Sequence, residues 1–335
     1  MNRQSRRHVL LGGLSLAGLS LLTGCRMMPS LGQRSLEPRR IGCYSNPVPT
    51  ANAEAGGMLV VFRQALGDLG YVEGQNLVIE ERYASGADQR AIFAAEVERF
   101  RPEVIVVPAS IVAQSVRDVT STIPIVSVGQ GSLLERRLVE SLAHPGGNVT
   151  GLSTPLLAGK PLQLLKEAVP SLSRVAVLFD TTISVAREPY ERAAEILGLQ
   201  LTFVGAGGPA DFESAFQIAS HDQVDGLFIT TGPLFSSVST QTRIDDLAVH
   251  YRLPSMWGTT DAVSRVGLLG YGPNRADLFR RTAIYVDKIL TGANPAEMPV
   301  EQPTLFDFLI NLKTARSLGL TIPSAVLAQA TEVIQ

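Results

Sequence analysis

The chain has 335 residues, 45% of them apolar, 18% charged and 6% aromatic, with 30 Gly, 20 Pro and two Cys. That composition is globular, and it excludes a disordered chain or a disulfide scaffold. Lysine and arginine number 29 against 31 acidic residues, without basic clusters in the body, so the electrostatic footprint of a nucleic-acid binder is excluded as well.

The N-terminus reads as an address. Ser5-Arg6-Arg7-His8-Val9-Leu10 is a twin-arginine pattern, and an apolar run over residues 9–22 follows it. A run this short cannot cross a bilayer core of about 30 Å, which takes around 20 residues, so residues 1–24 are predicted to be a signal peptide. The run ends in Leu22-Thr23-Gly24-Cys25, the order of a bacterial lipobox, which makes Cys25 the expected lipidation site. Two or more acyl chains, at about 0.8 kcal/mol per buried methylene, hold a protein stably at a membrane surface. Removing residues 1–24 takes away Arg3, Arg6 and Arg7 and leaves 26 basic against 31 acidic residues. Cys43 is then the one free thiol, and its apolar strand context reads as core. Residues 25–38, with Pro29, Ser30, Gly32, Gln33, Ser35 and Pro38, lack an apolar period and are expected to be a tether.

A body of this length outgrows a single core, so two lobes are expected. From residue 40 onward short β-rich runs alternate with helical patterns. Strands are predicted at 41–44, 77–79, 103–107 and 125–128, and helices at 58–69, 90–100, 111–119 and 133–142. Uninterrupted apolar strands separated by helices indicate parallel sheets buried on both faces. His144-Pro145-Gly146-Gly147-Asn148-Val149-Thr150-Gly151 is dense in turn residues and marks the boundary of the first lobe. The rhythm then resumes: helices at 162–168, 189–197, 211–219, 243–250, 275–290 and 313–318 interleave with strands at 175–179, 199–204, 226–230, 254–257, 266–271 and 306–310. The fold class is therefore α/β, two doubly wound parallel-sheet lobes that face each other across a cleft.

Ligands of open parallel sheets bind beyond the carboxyl ends of the strands. That rule selects Ser45, Asn46, Ala109, Ser110, Gly129 and Ser132 in the first lobe, and Asp180, Thr230, Thr231 and Trp257 in the second. Hydroxyls and exposed amides at helix starts suit a carboxylate or another small anion, and Asp180 could face an ammonium. Ser110 and Thr259 also stand where helix N-caps belong, and Trp257, the single indole, fits either core or ligand stacking.

Enzyme machinery is not legible. His144, His221 and His250 stand far apart without metal-ligand spacing, so no metal site or cofactor is expected. Gly151-Leu152-Ser153-Thr154-Pro155 lacks the closing glycine of a nucleophile elbow, and Gly159-Lys160-Pro161 fails as a phosphate loop.

Four stretches carry a resemblance: Gly70-Tyr71-Val72-Glu73-Gly74-Gln75-Asn76, Pro145 to Gly151, Val300-Glu301-Gln302-Pro303-Thr304 and Leu318-Gly319-Leu320-Thr321-Ile322-Pro323. Together, over about residues 38–334, the chain resembles the solute-binding lipoprotein family of ABC transporters that includes the tryptophan- and tyrosine-binding proteins. The resemblance implies a type I periplasmic-binding-protein-like fold that closes on a small polar ligand, an amino acid or similar, and delivers it to an ABC permease. It implies lobe 1 over 39–148 with about 272–300 returning to it, and lobe 2 over 149–271 with about 301–335 crossing back. Hinge roles fall on Asn148, Thr150, Gly151 and Gly270. Ser132-Leu133 stands where the family commonly has Asp-Pro, which removes a carboxylate partner for an amino group and argues against an aromatic amino acid. The expected partners are the small-molecule ligand, the permease and, through Cys25, a membrane, with no nucleic acid and the chain acting as a monomer. A sensing lobe for a membrane receptor is the alternative, and it would use the same fold.

Overall fold

The computed structural model describes residues 37–46, 55–84 and 86–335. The predicted signal peptide, Cys25 and most of the tether lie outside the described residues.

Residues 39–151 form a five-stranded parallel sheet. In chain order the elements are β1 (Arg39–Ser45), α1 (Ala55–Asp68), β2 (Leu77–Tyr83), α2 (Gln89–Phe100), β3 (Val104–Ala109), α3 (Ser110–Arg117), β4 (Ile125–Gln130) and β5 (Val149–Gly151). The strand order is β2-β1-β3-β4-β5. Strand β3 shows why the sheet needs two covers: its run Val104-Ile105-Val106-Val107 is buried throughout, and a period of two sends alternate side chains to opposite faces. Val104 and Val106 join Ile41, Cys43 and Val126 on one face. Ile105 and Val107 join Tyr44, Phe93, Val112 and Val116 on the other.

The second sheet has seven strands. Its elements are α4 (Gly159–Ala168), β6 (Arg174–Asp180), α5 (Glu188–Leu197), β7 (Gln200–Ala206), α6 (Phe212–His221), β8 (Gly226–Ile229), α7 (Val238–His250), β9 (Ser255–Trp257) and β10 (Leu269–Pro273). After α8 (Arg275–Leu290) come β11 (Phe306–Asn311), α9 (Leu312–Ser317), α10 (Ser324–Leu327) and β12 (Glu332–Ile334), and the order is β12-β11-β10-β9-β8-β6-β7. Here β6 supplies both faces, with Val175 and Val177 packed toward Tyr190, Phe228 and Met256, and Ala176 and Leu178 toward Phe212, Phe216 and Ile244.

Three expectations change, and two short elements go unread in the sequence. Residues 133–142 are a series of turns, because Arg137 takes a left-handed φ of 55° and stops any i to i−4 ladder. The stretch expected as a pure turn boundary contains β5, which pairs with β4 in parallel. The second sheet is not wholly parallel, since β10 and β11 run antiparallel from Leu269↔Ile310 to Pro273↔Phe306. The short α10 and β12 carry too few periodic residues to be read from sequence.

Three chain segments connect the sheets. β5 continues toward α4; Pro273 leads through Asn274 into α8, which packs on α1 and β4 of the first sheet; and residues 291–305 lead from α8 to β11. The first and third lie side by side, with Ser153 donating to the Glu301 carbonyl at 2.9 Å and Glu301 donating to the Gly151 carbonyl at 3.0 Å. The Thr150 hydroxyl adds a buried bond to the Met298 carbonyl at 2.8 Å. Asn274 both caps α8, accepting from the Asp277 N–H, and donates to the Asp307 carboxylate.

Candidate functional site

The carboxyl ends of both sheets face one cleft. It has a larger section of about 700 Å³ and a smaller one of about 320 Å³. The sections share Ser110, Gly131, Arg136, Thr230, Thr231 and Arg275 among their walls, so they are two parts of a single space. The larger volume is of the size that encloses a small molecule.

Most of the predicted site residues lie on this space. Ser110, Thr230 and Thr231 face both sections, Gly129 and Ser132 the larger, and Ser45, Asn46, Ala109 and Trp257 the smaller. Local structure explains what each can offer. Ala109 is the extended N-cap of α3 and has no side chain to cap with, so the first N–H groups of that helix keep no side-chain acceptor. Ser110 is the first helical residue rather than the cap, and its Oγ instead accepts from Arg136 Nε at 3.0 Å. Ser132 accepts from the Glu135 N–H, holding the turn that presents Arg136. Thr259 caps no helix, because residues 258–266 are bends and turns.

Two residues sit differently from the sequence expectation. Asp180 lines neither section and is fully buried. Its Oδ1 accepts from the Thr182 N–H and hydroxyl at 2.8 and 2.5 Å, and its Oδ2 from the Leu234 N–H at 2.9 Å. The carboxylate therefore fastens two cleft loops to each other, and it has no oxygen turned to a ligand ammonium. Trp257 is 1% exposed and donates its indole N–H to Asp245 at 2.9 Å, so it forms a wall and not a free stacking surface. Burial pushes the Asp245 carboxyl up to about 7.

The four positions given hinge roles also divide. Thr150 and Gly151 stand where the first and third connections meet. Asn148 stays with the first sheet, donating to the Thr120 and Ile123 carbonyls just before β4. Gly270 is an internal residue of β10, and an added Cβ there would lie 2.5 Å from the Thr259 carbonyl oxygen.

Several cleft residues were not legible in the sequence. Arg136 fell inside a stretch read as helix, so its direction was hidden. It is half-buried, its guanidinium bonds only Ser110 Oγ among the described residues, and burial lowers its pKa. Arg275, at the start of α8, is ion-paired with Asp261. Gln241 accepts from Arg265 at 2.8 Å beside them. Thr154 and Thr230, of which the strand-end rule selects the second, each carry a buried hydroxyl without a hydrogen-bond partner among the described residues, and both line the larger section. Orphaned buried polar atoms are uncommon in folded proteins and call for a reason. Among the described residues no cluster of His, Cys, Asp and Glu could hold a metal ion.

Two sheets of mainly parallel strands around a shared cleft define a two-lobed small-molecule-binding protein. The match to the model of the ABC transporter substrate binding protein family spans residues 54–334, and the chain belongs to that family. It is a binding protein rather than an enzyme, of an extracytoplasmic class. It is 24% identical over 268 residues to a tyrosine-binding protein of Clostridioides difficile, covering 79% of this chain and 77% of that one. Among solved structures it is similar to a conserved domain protein from Vibrio cholerae, with 28% identity, 89% of this chain and 100% of that chain covered and a TM-score of 0.78. It is also similar to an ABC domain from Streptococcus pneumonia in complex with L-Trp, with 23% identity, the same coverages and a TM-score of 0.79.

Proposed function

We propose that this protein is a lipid-anchored extracytoplasmic receptor that captures a small polar solute, an amino acid or similar, by lobe closure and presents it to an ABC permease. The observation that carries the ligand part is the shared cleft, walled by both sheets and furnished with the unpaired hydroxyls of Thr154 and Thr230. A ligand enclosed there contacts both lobes at once, so it binds the closed state more tightly and shifts the open–closed population toward it. The tyrosine-binding relative and the L-Trp complex support the amino-acid range of sizes. Leu22-Thr23-Gly24-Cys25 supports the anchor, with the twin-arginine stretch ahead of it as the export signal.

Calorimetry of the purified body against amino acids, purines and small organic acids, with X-ray scattering for compaction, tests the ligand part. Saturable binding with a smaller radius of gyration is expected, and no binding and no compaction across the panel overturns it. Mass spectrometry of the membrane fraction tests the anchor: acyl chains on Cys25 are expected, and a Cys25→Ser chain that stays equally membrane-bound overturns it.

A further inference from the structure

We infer that the solute is a small organic acid, a carboxylate that carries no ammonium group. The inference rests on the binding reading above and narrows it. Five charged side chains line the cleft: Arg136, Arg265 and Arg275 against Glu135 and Asp261. Arg265 is held by Gln241 and the Asp261 carbonyl, so the charge that selects for an anion is that of Arg136. Asp261 is committed to Arg275. Glu135 is exposed and directly precedes Arg136, on whose guanidinium its charge already acts. Arg136 has no salt bridge among the described residues, and its other N–H donors remain for an incoming carboxylate, which a guanidinium can grip through two parallel bonds.

The neutral groups are of the same kind. The first turn of α3 turns toward the cleft at Ser110 without a capping side chain, and the positive end of a helix dipole favours a negative charge. Across the cleft Thr230 is 3% exposed, and its hydroxyl has no partner. Gly131 has a φ of +83°, and a Cβ there would sit 2.6 Å from Ser110 Oγ, so the glycine lets the Ser110 hydroxyl keep its place beside Arg136. The Arg136 N–H groups and the helix start can only donate, and the Thr230 hydroxyl can add a donor to them. A zwitterion would bring its carboxylate to this set, while its ammonium would meet Asp261 already paired with Arg275 and both Asp180 oxygens already accepting from Thr182 and Leu234, so its desolvation would go uncompensated.

The test is a matched series on the purified full body at pH 7: L-leucine, L-tyrosine and L-tryptophan, each beside its 2-hydroxy and 2-oxo acid, by calorimetry. At least one acid is expected to bind on the order of tenfold or more tighter than its amino acid. Arg136→Ala is expected to weaken that acid roughly 10- to 100-fold, with Arg136→Lys recovering part of the loss and both variants melting like the parent. Amino acids that bind while their acids do not, or an Arg136→Ala protein of parental affinity and stability, overturn the inference and leave the binding reading intact. Silence from all nine compounds and from the wider panel overturns that reading, and the inference with it.

Discussion

Trp257 and Asp245 form an enclosed donor–acceptor pair, with the indole N–H 2.9 Å from Oδ1 and both side chains at most 2% exposed. The pair joins the last residue of β9 to the middle of α7. The neighbouring charge of Asp246 reinforces the effect of burial, while the Trp257 bond partly opposes it, and the carboxyl stands at about 7. One turn earlier on the same helix, Gln241 holds Arg265 at the smaller section of the cleft.

The sign of the resulting pH dependence follows from linkage. Between an ordinary carboxyl value near 3.8 and the folded value near 7, the folded chain holds a proton that the unfolded chain has released, so stability falls as pH rises through that window. An Asp245→Asn protein keeps an acceptor for the indole and removes the titration. Thermal melts from pH 4 to 8 are expected to show the parent losing ground to the variant between about 4 and 7, by up to a few kcal/mol. Parallel melting curves would refute this.

Gly151 has a φ of +112°, and an added Cβ would stand 2.5 Å from the Ser127 carbonyl oxygen. Both the backbone and the space demand glycine, so Gly151→Ala is expected to cost about 3 kcal/mol or more in urea unfolding. Gly147→Ala serves as its control: nothing lies within 4 Å of a Cβ there, and the change is expected to stay within about 0.5 kcal/mol.

The buried bond from Thr150 to the Met298 carbonyl spans 148 residues of sequence. Thr150→Val keeps the shape and leaves that carbonyl unsatisfied, which costs about 1–3 kcal/mol. Denaturation midpoints check the loss, and a variant as stable as the parent would mean that the two connections are held by their backbone bonds alone.

Asp180→Asn separates a loop fastener from a ligand contact. The amide nitrogen cannot accept, so one of the bonds to Thr182 or Leu234 is lost, and a drop of about 1–3 kcal/mol in stability is expected. Solute binding is expected to keep its stoichiometry and to weaken only modestly. Abolished binding in a protein of parental stability would place Asp180 on the ligand after all.

The sequence carried the fold further than the site. Runs such as Val104 to Val107 and Val175 to Phe179 declare buried parallel strands through composition alone, and the strand-end rule then reaches Ser110, Thr230 and Trp257. What composition cannot carry is side-chain direction. Asp180 and Trp257 sit at the right ends of the right strands, yet Asp180 turns to loop amides and the Trp257 indole N–H to Asp245. Arg136 was hidden for the converse reason: its apolar neighbours Leu133, Leu134 and Leu138 mimic a helical face, while the left-handed Arg137 between them makes a turn.

Helix α8 has a consequence for the order of assembly. Its residues Leu278, Phe279, Ala283, Val286 and Ile289 cover the face of the first sheet that holds Ile41, Val104 and Val126, yet it is made only after ten of the twelve strands. A ribosome must deliver residue 290 before that face has its lid. The second sheet waits longer still, for β11 and β12. The first half is thus incomplete until α8 has been made and the second until β12 has, which favours folding and unfolding of the two as one cooperative event.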